Sequence, residues 1–267
     1  MEQYRLEKIV KSFDRHQLAV GGIDLAVQRG ERIALIGPSG AGKTTLFRIL
    51  NLTLRPTSGK LWIDGSKIEH LHGKKLREMR QKIGTVYQQH NLVPRLKVIH
   101  NVLSGRLGTS STLRSLVSLV RPRDIELAYD ALNRVGIGEK LFARTDELSG
   151  GQQQRVAIAR VLLQDPEVIL ADEPVSSVDR SLASTIVKLL IDISKQTGKT
   201  LMVNLHSVDL ALSYFSRVVG VKNGTTMFDL CPDEVSDELL EGLYSGHLPE
   251  NDQDMSSDEQ PHATFLQ

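Results

Sequence analysis

The sequence predicts an α/β fold in which a mostly parallel β-sheet lies between layers of helices. Three short apolar runs carry this prediction: RIALIG at residues 32–37, VILAD at 168–172 and TLMVNLH at 200–206. Each run is continuously apolar rather than alternating, which is typical of parallel strands covered on both faces. Because ligands bind at the carboxyl ends of such strands, the polar residues that follow each run are candidates for a functional site.

Two further segments complete the predicted architecture. Residues 4–27 alternate loosely between apolar and polar, with turn signals at 14–16 and at Gly21-Gly22, which predicts short antiparallel strands. Residues 89–165 change to a helical pattern, clearest in the amphipathic stretch 124–135. We therefore expect a parallel core with an N-terminal antiparallel β subdomain and an inserted helical subdomain.

Size and composition limit the possible functions. A chain of 267 residues suits one large domain or a domain with a lobe, and its formal charge of +1 does not indicate nucleic-acid binding through bulk charge. The single cysteine, Cys231, excludes an intramolecular disulfide and fits a reducing compartment. Without a secretory signal or a run of about 18 apolar residues, we expect a cytosolic protein, or one that sits on a membrane through a partner.

The last part of the chain differs in composition from the rest. Residues 247–267 contain no Lys or Arg, while acidic residues accumulate among Ser, Gln and Pro. Such a composition cannot bury enough apolar surface to form a core. We predict a domain at residues 1–246 and a disordered acidic tail at 247–267.

A glycine-rich loop follows the first apolar run. Residues 37–44 read GPSGAGKT, which is the G-x-x-x-x-G-K-[ST] pattern of a P-loop, placed between a predicted strand and a predicted helix at 44–50. The glycines allow the backbone to wrap around phosphates, Lys43 is placed to reach the β- and γ-phosphates, and the Thr44 hydroxyl is placed to ligate Mg²⁺. The pattern predicts ATP and Mg²⁺ as ligands of a P-loop (RecA-like) core. The predicted binding residues of the loop are Gly37, Pro38, Ser39, Gly40, Ala41, Gly42, Lys43, Thr44 and Thr45.

Two acidic residues end the second apolar run. Asp172 closes the VILAD strand, and we expect it to hold the Mg²⁺ either directly or through a water. Glu173 follows at once, where a carboxylate can polarise the attacking water as a general base. A surface acid after a strand is the alternative for Glu173, but the DEP sequence after an apolar strand favours the catalytic role.

A second glycine-rich site lies at residues 148–152, which read LSGGQ. The turn precedes a helical run with Val156, Ala159 and Leu162 at apolar spacing, and Ser149 is placed as its N-cap. The start of a helix presents free N–H groups and the positive end of the helix dipole, so it binds anions. The chain therefore contains two predicted phosphate sites.

Together, GPSGAGKTT, LSGGQ and VILADEP resemble the nucleotide-binding subunit of ABC transporters, over about residues 4–245. In that family two such subunits meet head to tail, and ATP lies between the phosphate loop of one and the LSGGQ of the other. The resemblance implies that Ser149, Gly150, Gly151 and Gln152 bind the nucleotide of a second subunit, which we expect to be an identical copy.

The resemblance also implies roles for four further residues. Gln88 matches the loop glutamine that senses Mg²⁺ and the attacking water, with its neighbour Gln89 as the alternative. Asp179 in SSVD matches the loop that couples the two sites, and His206 matches the switch histidine that contacts the γ-phosphate. Phe13 lies where the family often places an aromatic side chain that stacks on adenine, although core packing is an alternative.

A longer segment, QQHNLVPRLKVIHNVLSGRLG at residues 88–108, resembles phosphonate-import ATPases. The next residues also resemble their helical lobe and include a short apolar helix at 113–120. The resemblance implies an ATPase on the cytoplasmic face of the membrane that energises import of phosphonate or a related phosphorus oxyanion. Its partners would be permease subunits and, indirectly, an external solute-binding protein, but not nucleic acid. The alternatives are an importer of another small polar solute, a soluble ABC ATPase and a small-molecule P-loop kinase.

Overall fold

The computed structural model describes residues 1–14, 17–108, 124–176 and 179–245. These residues form two sheets and eight α-helices, besides short 3₁₀ turns. The strands are β1 (Glu2–Asp14), β2 (Gln17–Gln28), β3 (Arg32–Ile36), β4 (Ser58–Ile63), β5 (Ser66–Lys67), β6 (Ile83–Val86), β7 (Val168–Asp172), β8 (Thr200–Asn204), β9 (Arg217–Lys222) and β10 (Thr225–Leu230). The helices are α1 (Lys43–Leu50), α2 (Gly73–Gln81), α3 (Val98–Leu103), α4 (Ile125–Arg134), α5 (Gly150–Gln164), α6 (Arg180–Thr197), α7 (Val208–Tyr214) and α8 (Asp237–Tyr244).

The central sheet has the strand order β10-β9-β3-β8-β7-β6 within the described residues. Strands β9, β3, β8, β7 and β6 run parallel, and β10 joins β9 as an antiparallel hairpin. The three apolar runs form β3, β8 and β7, which lie side by side at the centre of this sheet. The predicted α/β class with a mostly parallel sheet is confirmed.

Both faces of strands β3, β7 and β8 are buried, which explains why these strands are continuously apolar. Ile33 and Leu35 of β3 point into a core shared with α1 and the N-terminal sheet. Ala34 and Ile36 point into a second core, formed with helices α5 and α6. Because successive side chains of a strand alternate between faces, a strand between two cores has no polar face.

The second sheet is antiparallel, with the order β2-β1-β4-β5. Our prediction of short strands is wrong here, because β1 and β2 span 13 and 12 residues. Gly21 and Gly22 do not form a turn either: Gly21 pairs with Val10 inside β2, the register shifts between Ile9 and Val10, and Gly22 has a φ of 101°. The two glycines thus lie at a β-bulge, and the positive φ of Gly22 is a conformation that glycine adopts easily. The other predicted turn is at 14–16: Asp14 is the last residue of β1, and residues 15–16 lie outside the described residues.

Helices α3, α4 and α5 follow β6 and precede β7 in the chain, and they pack on one another. The amphipathic stretch predicted at 124–135 is helix α4, which buries Ala128, Ala131 and Leu132. The predicted helix at 113–120 and the acidic tail at 247–267 lie outside the described residues. Of the helices that are described, none combines the length and the apolar character needed to cross a membrane.

Candidate nucleotide-binding site

The glycine-rich loop joins β3, an inner strand of the central sheet, to helix α1. Gly37 and Gly42 have φ angles of 147° and 96°, a region that favours glycine. A Cβ atom on Gly37 would overlap the carbonyl oxygen of Val221 in β9, and one on Gly42 would overlap that of Ala19 in β2. The loop is therefore held between the two sheets by contacts that only glycine permits.

A cavity of about 420 Å³ opens above this loop. It brings together residues that the sequence placed in separate motifs, since the glycine-rich loop, the acid after β7, the histidine after β8 and the aromatic residue of β1 all border it. The lining consists of Phe13, Leu18, Ala19, Ser39, Gly40, Ala41, Gly42, Lys43, Thr44, Thr45, Glu173 and His206.

Lys43 begins helix α1 and is buried. Its ammonium group donates hydrogen bonds to the carbonyl oxygens of Gly37 at 2.6 Å and Pro38 at 2.9 Å, so the loop curls around it. Burial lowers the pKa of Lys43, and the neighbouring carboxylates of Glu173 and Asp172 act in the opposite direction. The loop therefore holds a positive charge in a partly desolvated site, where it attracts anions strongly.

Three polar side chains converge where β7 and β8 end. The Thr44 hydroxyl donates to Asp172 Oδ1 at 3.4 Å, and Asn204 Nδ2 donates to the same oxygen at 2.7 Å. Burial raises the pKa of Asp172, the hydrogen bond from Asn204 opposes this shift, and the nearby Glu173 adds to it. Mg²⁺ prefers hydroxyl, carboxylate and water oxygens, so the adjacent oxygens of Thr44 and Asp172 fit this cation.

Glu173 occupies an unusual position directly after β7. Its φ is 50°, its backbone N–H donates to the carbonyl of Asn204 at 3.2 Å, and its Oε1 lies 2.7 Å from Nε2 of His206. A non-glycine residue in the left-handed region costs about 1–3 kcal/mol and persists only when its surroundings hold it there. The contacts from the end of β8 and from His206 provide that restraint. They aim the carboxylate of Glu173 into the cavity.

Phe13 lies at the rim of the same cavity, near the end of β1. Its side chain is 54% exposed, and the ammonium group of Lys11 lies 5.4 Å from the centre of its ring. An exposed ring beside a phosphate loop leaves one face free to stack on a planar ligand. The alternative that Phe13 is a core residue is wrong, since more than half of it is open to solvent.

Gln88 and Gln89 lie in the turn after β6, and both are exposed. Neither belongs to the lining of the cavity among the residues that the structure describes. The turn is tied to helix α5, because the guanidinium of Arg160 donates to the carbonyls of Asn91 at 2.6 Å and His90 at 2.8 Å. No pattern in the sequence marks Arg160, since its partners are backbone groups about 70 residues away in the chain.

The second glycine-rich segment begins helix α5. Ser149 is its N-cap, as predicted: its hydroxyl accepts from the N–H of Gln152 at 3.4 Å, and the Gln152 carboxamide accepts from the N–H of Ser149 at 3.1 Å. A Cβ atom on Gly151 would overlap Leu182, whose own N–H donates to Asp179 at 2.9 Å. The segment therefore packs against the start of α6, which Asp179 caps.

The residues of this segment stand apart from the cavity. Within the described parts of the chain, the lining of the cavity contains none of Ser149, Gly150, Gly151, Gln152 and Asp179. One molecule therefore does not bring its two glycine-rich sites together.

A phosphate loop between a central strand and a helix, with two consecutive acids at the end of a nearby strand, defines a P-loop nucleotide-binding domain. The family model described as "ABC transporter" matches residues 20–176. The chain belongs to the ABC transporter family, and it binds nucleotide as members of that family do.

Curated relatives and a solved structure resemble most of the chain. Phosphonates import ATP-binding protein PhnC 3 of Halalkalibacterium halodurans is 45% identical over 230 residues, which are 86% of this chain and 89% of the relative. Phosphonates import ATP-binding protein PhnC of Thiobacillus denitrificans is 44% identical over 252 residues, with 94% and 96% covered. A dimeric ATP-binding cassette in a post-hydrolysis state, bound to ADP and phosphate, has a TM-score of 0.71 and 29% identity, with 86% and 98% covered.

Proposed function

We propose that this chain is the ATP-hydrolysing subunit of an ABC importer that takes up phosphonate or a related phosphorus oxyanion. The observation that carries the ATPase role is the cavity in which Glu173 and His206 face the phosphate loop. The solute rests on the relatives, which are named for phosphonate import and are 42–45% identical over most of this chain. We place the subunit peripherally on the cytoplasmic face of the membrane.

Residues in and beside the cavity would take distinct roles in hydrolysis. The N–H groups of the loop and the ammonium of Lys43 bind the phosphates, while Thr44 and Asp172 would hold Mg²⁺. Bound Mg²⁺ supplies a Lewis acid that neutralises charge on the phosphate oxygens. Glu173 accepts a proton from the attacking water, and His206 orients the Glu173 carboxylate and reaches toward the γ-phosphate. Phe13 stacks on the adenine.

The segment at residues 149–152 would serve a second, identical subunit. Its separation from the cavity of its own chain supports this proposal, as does the dimeric state of the solved cassette. ATP then favours the closed pair, because only there do its phosphates contact both glycine-rich sites. Asp179, at the start of α6, would couple the two sites.

A groove beside Gln88 would receive a short helix of the permease. It has a volume of about 430 Å³ and lies between the central sheet and the helical subdomain formed by α3, α4 and α5. Arg160 borders it and ties the turn after Gln88 to helix α5. A shift of that turn toward the cavity would bring Gln88 to the γ-phosphate. The presence of the γ-phosphate would then be linked to transport. The solute-binding protein would act through the permease and would not contact this chain.

Hydrolysis and uptake test this function separately. We expect Glu173→Gln to bind ATP, to form stable dimers and to lose most turnover, whereas Glu139→Gln, an exposed acid outside the cavity lining, keeps normal turnover. Normal hydrolysis by Glu173→Gln would refute the assignment of the base.

Uptake of labelled phosphonate, phosphite and phosphate by a strain without this chain identifies the solute. If all three enter that strain as fast as they enter wild type, the phosphonate assignment is wrong.

The dimer is tested by Ser149→Arg. A bulky cation at the start of α5 should leave ATP binding to the monomer nearly unchanged and should prevent dimer closure and hydrolysis. Equilibrium binding of a fluorescent ATP analogue and size-exclusion chromatography measure the two properties. If the monomer loses ATP binding, the segment acts within its own chain, and the proposed head-to-tail pair is refuted.

A further inference from the structure

We propose that Asn204 is a positioning residue, which fixes the carboxylate of Asp172 and the backbone of Glu173 relative to the phosphate loop. This inference rests on the proposed function, because it assigns Asn204 to the same nucleotide site. It concerns a residue that does not border the cavity itself and that no motif in the sequence marks.

Two hydrogen bonds from one residue carry the proposal. Asn204 pairs directly with Asp172 in the register of β7 and β8. Its Nδ2 donates to Asp172 Oδ1 at 2.7 Å, and its carbonyl oxygen accepts the N–H of Glu173 at 3.2 Å. One residue therefore holds both consecutive acids of the site, one by its side chain and the other by its backbone.

The surroundings of Asn204 make its amide costly for folding. Asn204 is 0% exposed, as are Met202, Val203 and Leu205 of the same strand end. Among the described residues, its Oδ1 has no hydrogen-bond partner. A buried acceptor left without a partner lowers stability, so an apolar side chain of similar size would suit this strand better. The stability of the fold does not explain the amide, whereas the bond to Asp172 does.

Loss of this donor would release the Asp172 carboxylate. Its remaining described partner would be the Thr44 hydroxyl at 3.4 Å, a long hydrogen bond. Repulsion from the adjacent Glu173 would then favour other rotamers of Asp172. Removing the group that orients a metal ligand typically lowers metal affinity or activity by about 10- to 100-fold.

The experiment compares wild type with Asn204→Leu, which keeps the size of the side chain and removes the donor. Met202→Leu is the control, because it changes a buried side chain on the same face of β8 whose partner in the register of β7 is Leu170 rather than Asp172. Three quantities are measured on the full chain: ATP binding in EDTA, the rise in melting temperature as Mg²⁺ is titrated at fixed ATP, and the Mg²⁺ dependence of hydrolysis.

We expect Asn204→Leu to bind ATP in EDTA as wild type does, to need about tenfold more Mg²⁺ for half of the thermal shift, and to hydrolyse at least about tenfold more slowly. A wild-type Mg²⁺ titration for Asn204→Leu would overturn the proposal. If Asn204→Leu does not fold, Asn204→Ala removes the donor without adding volume, and the same outcomes apply. The Mg²⁺ thermal shift does not require turnover. If wild type fails to hydrolyse ATP, the proposed function is refuted, and the Mg²⁺ titration still decides the positioning role of Asn204.

Discussion

Gln154 on helix α5 offers a test of how buried polar groups affect the stability of this fold. Its side chain is 1% exposed, and neither Oε1 nor Nε2 has a hydrogen-bond partner among the described residues. Burying an unpaired amide costs about 1–3 kcal/mol. Methionine has a similar volume, is unbranched and has a similar helix propensity, so the swap itself costs less than about 1 kcal/mol. We expect Gln154→Met to raise the free energy of unfolding by about 1–2 kcal/mol.

Gln153 provides the matched control one position earlier on the same helix. Its Nε2 donates to the carbonyls of Thr145 at 3.2 Å and Leu148 at 3.1 Å, so Gln153→Met should lower the free energy of unfolding by about 1–2 kcal/mol. In a domain of this size, 1 kcal/mol corresponds to about 2–4 °C in melting temperature. Urea denaturation and calorimetry measure the free energy of unfolding of both variants, and the m-values should stay unchanged. A destabilised Gln154→Met, or the same effect from both variants, would refute the reasoning.

Two further predictions concern the phosphate loop and the turn after β6. Gly37→Ala should destabilise the fold by more than about 4 kcal/mol, because the new Cβ overlaps the carbonyl of Val221. Gly40 is the control: its φ is 77°, and no described atom lies within 4 Å of a Cβ placed there. Gly40→Ala should therefore cost only about 1–2 kcal/mol. Equal losses in thermal denaturation would contradict the overlap. Arg160→Met removes two hydrogen bonds to the carbonyls of residues 90–91 and should lower stability by about 1.5–3 kcal/mol. Unchanged hydrogen exchange in that turn would show that Arg160 does not hold it.

Local patterns in the sequence predicted the elements whose causes are local. The apolar runs became β3, β7 and β8 because strands covered on both faces need apolar side chains throughout. Ser149 was predicted as an N-cap because its partner, Gln152, lies three residues away in the chain.

Features that depend on distant partners were missed or misread. The glycines at 21–22 resemble a turn signal, and only the pairing of β2 with β1 shows them to be a bulge. Asn204 becomes meaningful only when β8 lies beside β7, and Arg160 only when α5 reaches the turn after β6. The exposure of Gln88 could not be predicted either, because it depends on how the helical lobe sits against the sheet.

The hairpin between β9 and β10 also connects the two sheets. Asn223 and Gly224 form its two-residue tip, with φ angles of 50° and 76°, a geometry that ordinarily marks a surface turn tolerant of inserted residues. Here the carbonyl of Gly224 accepts from the N–H of Gly21 at 2.7 Å, and its own N–H donates to the carbonyl of Ala41 at 3.0 Å. Lengthening this tip would pull the bulge of β2 away from the phosphate loop. A protein engineer who wished to insert a tag or a reporter domain should therefore avoid this turn, although its length and sequence resemble those of a permissive site.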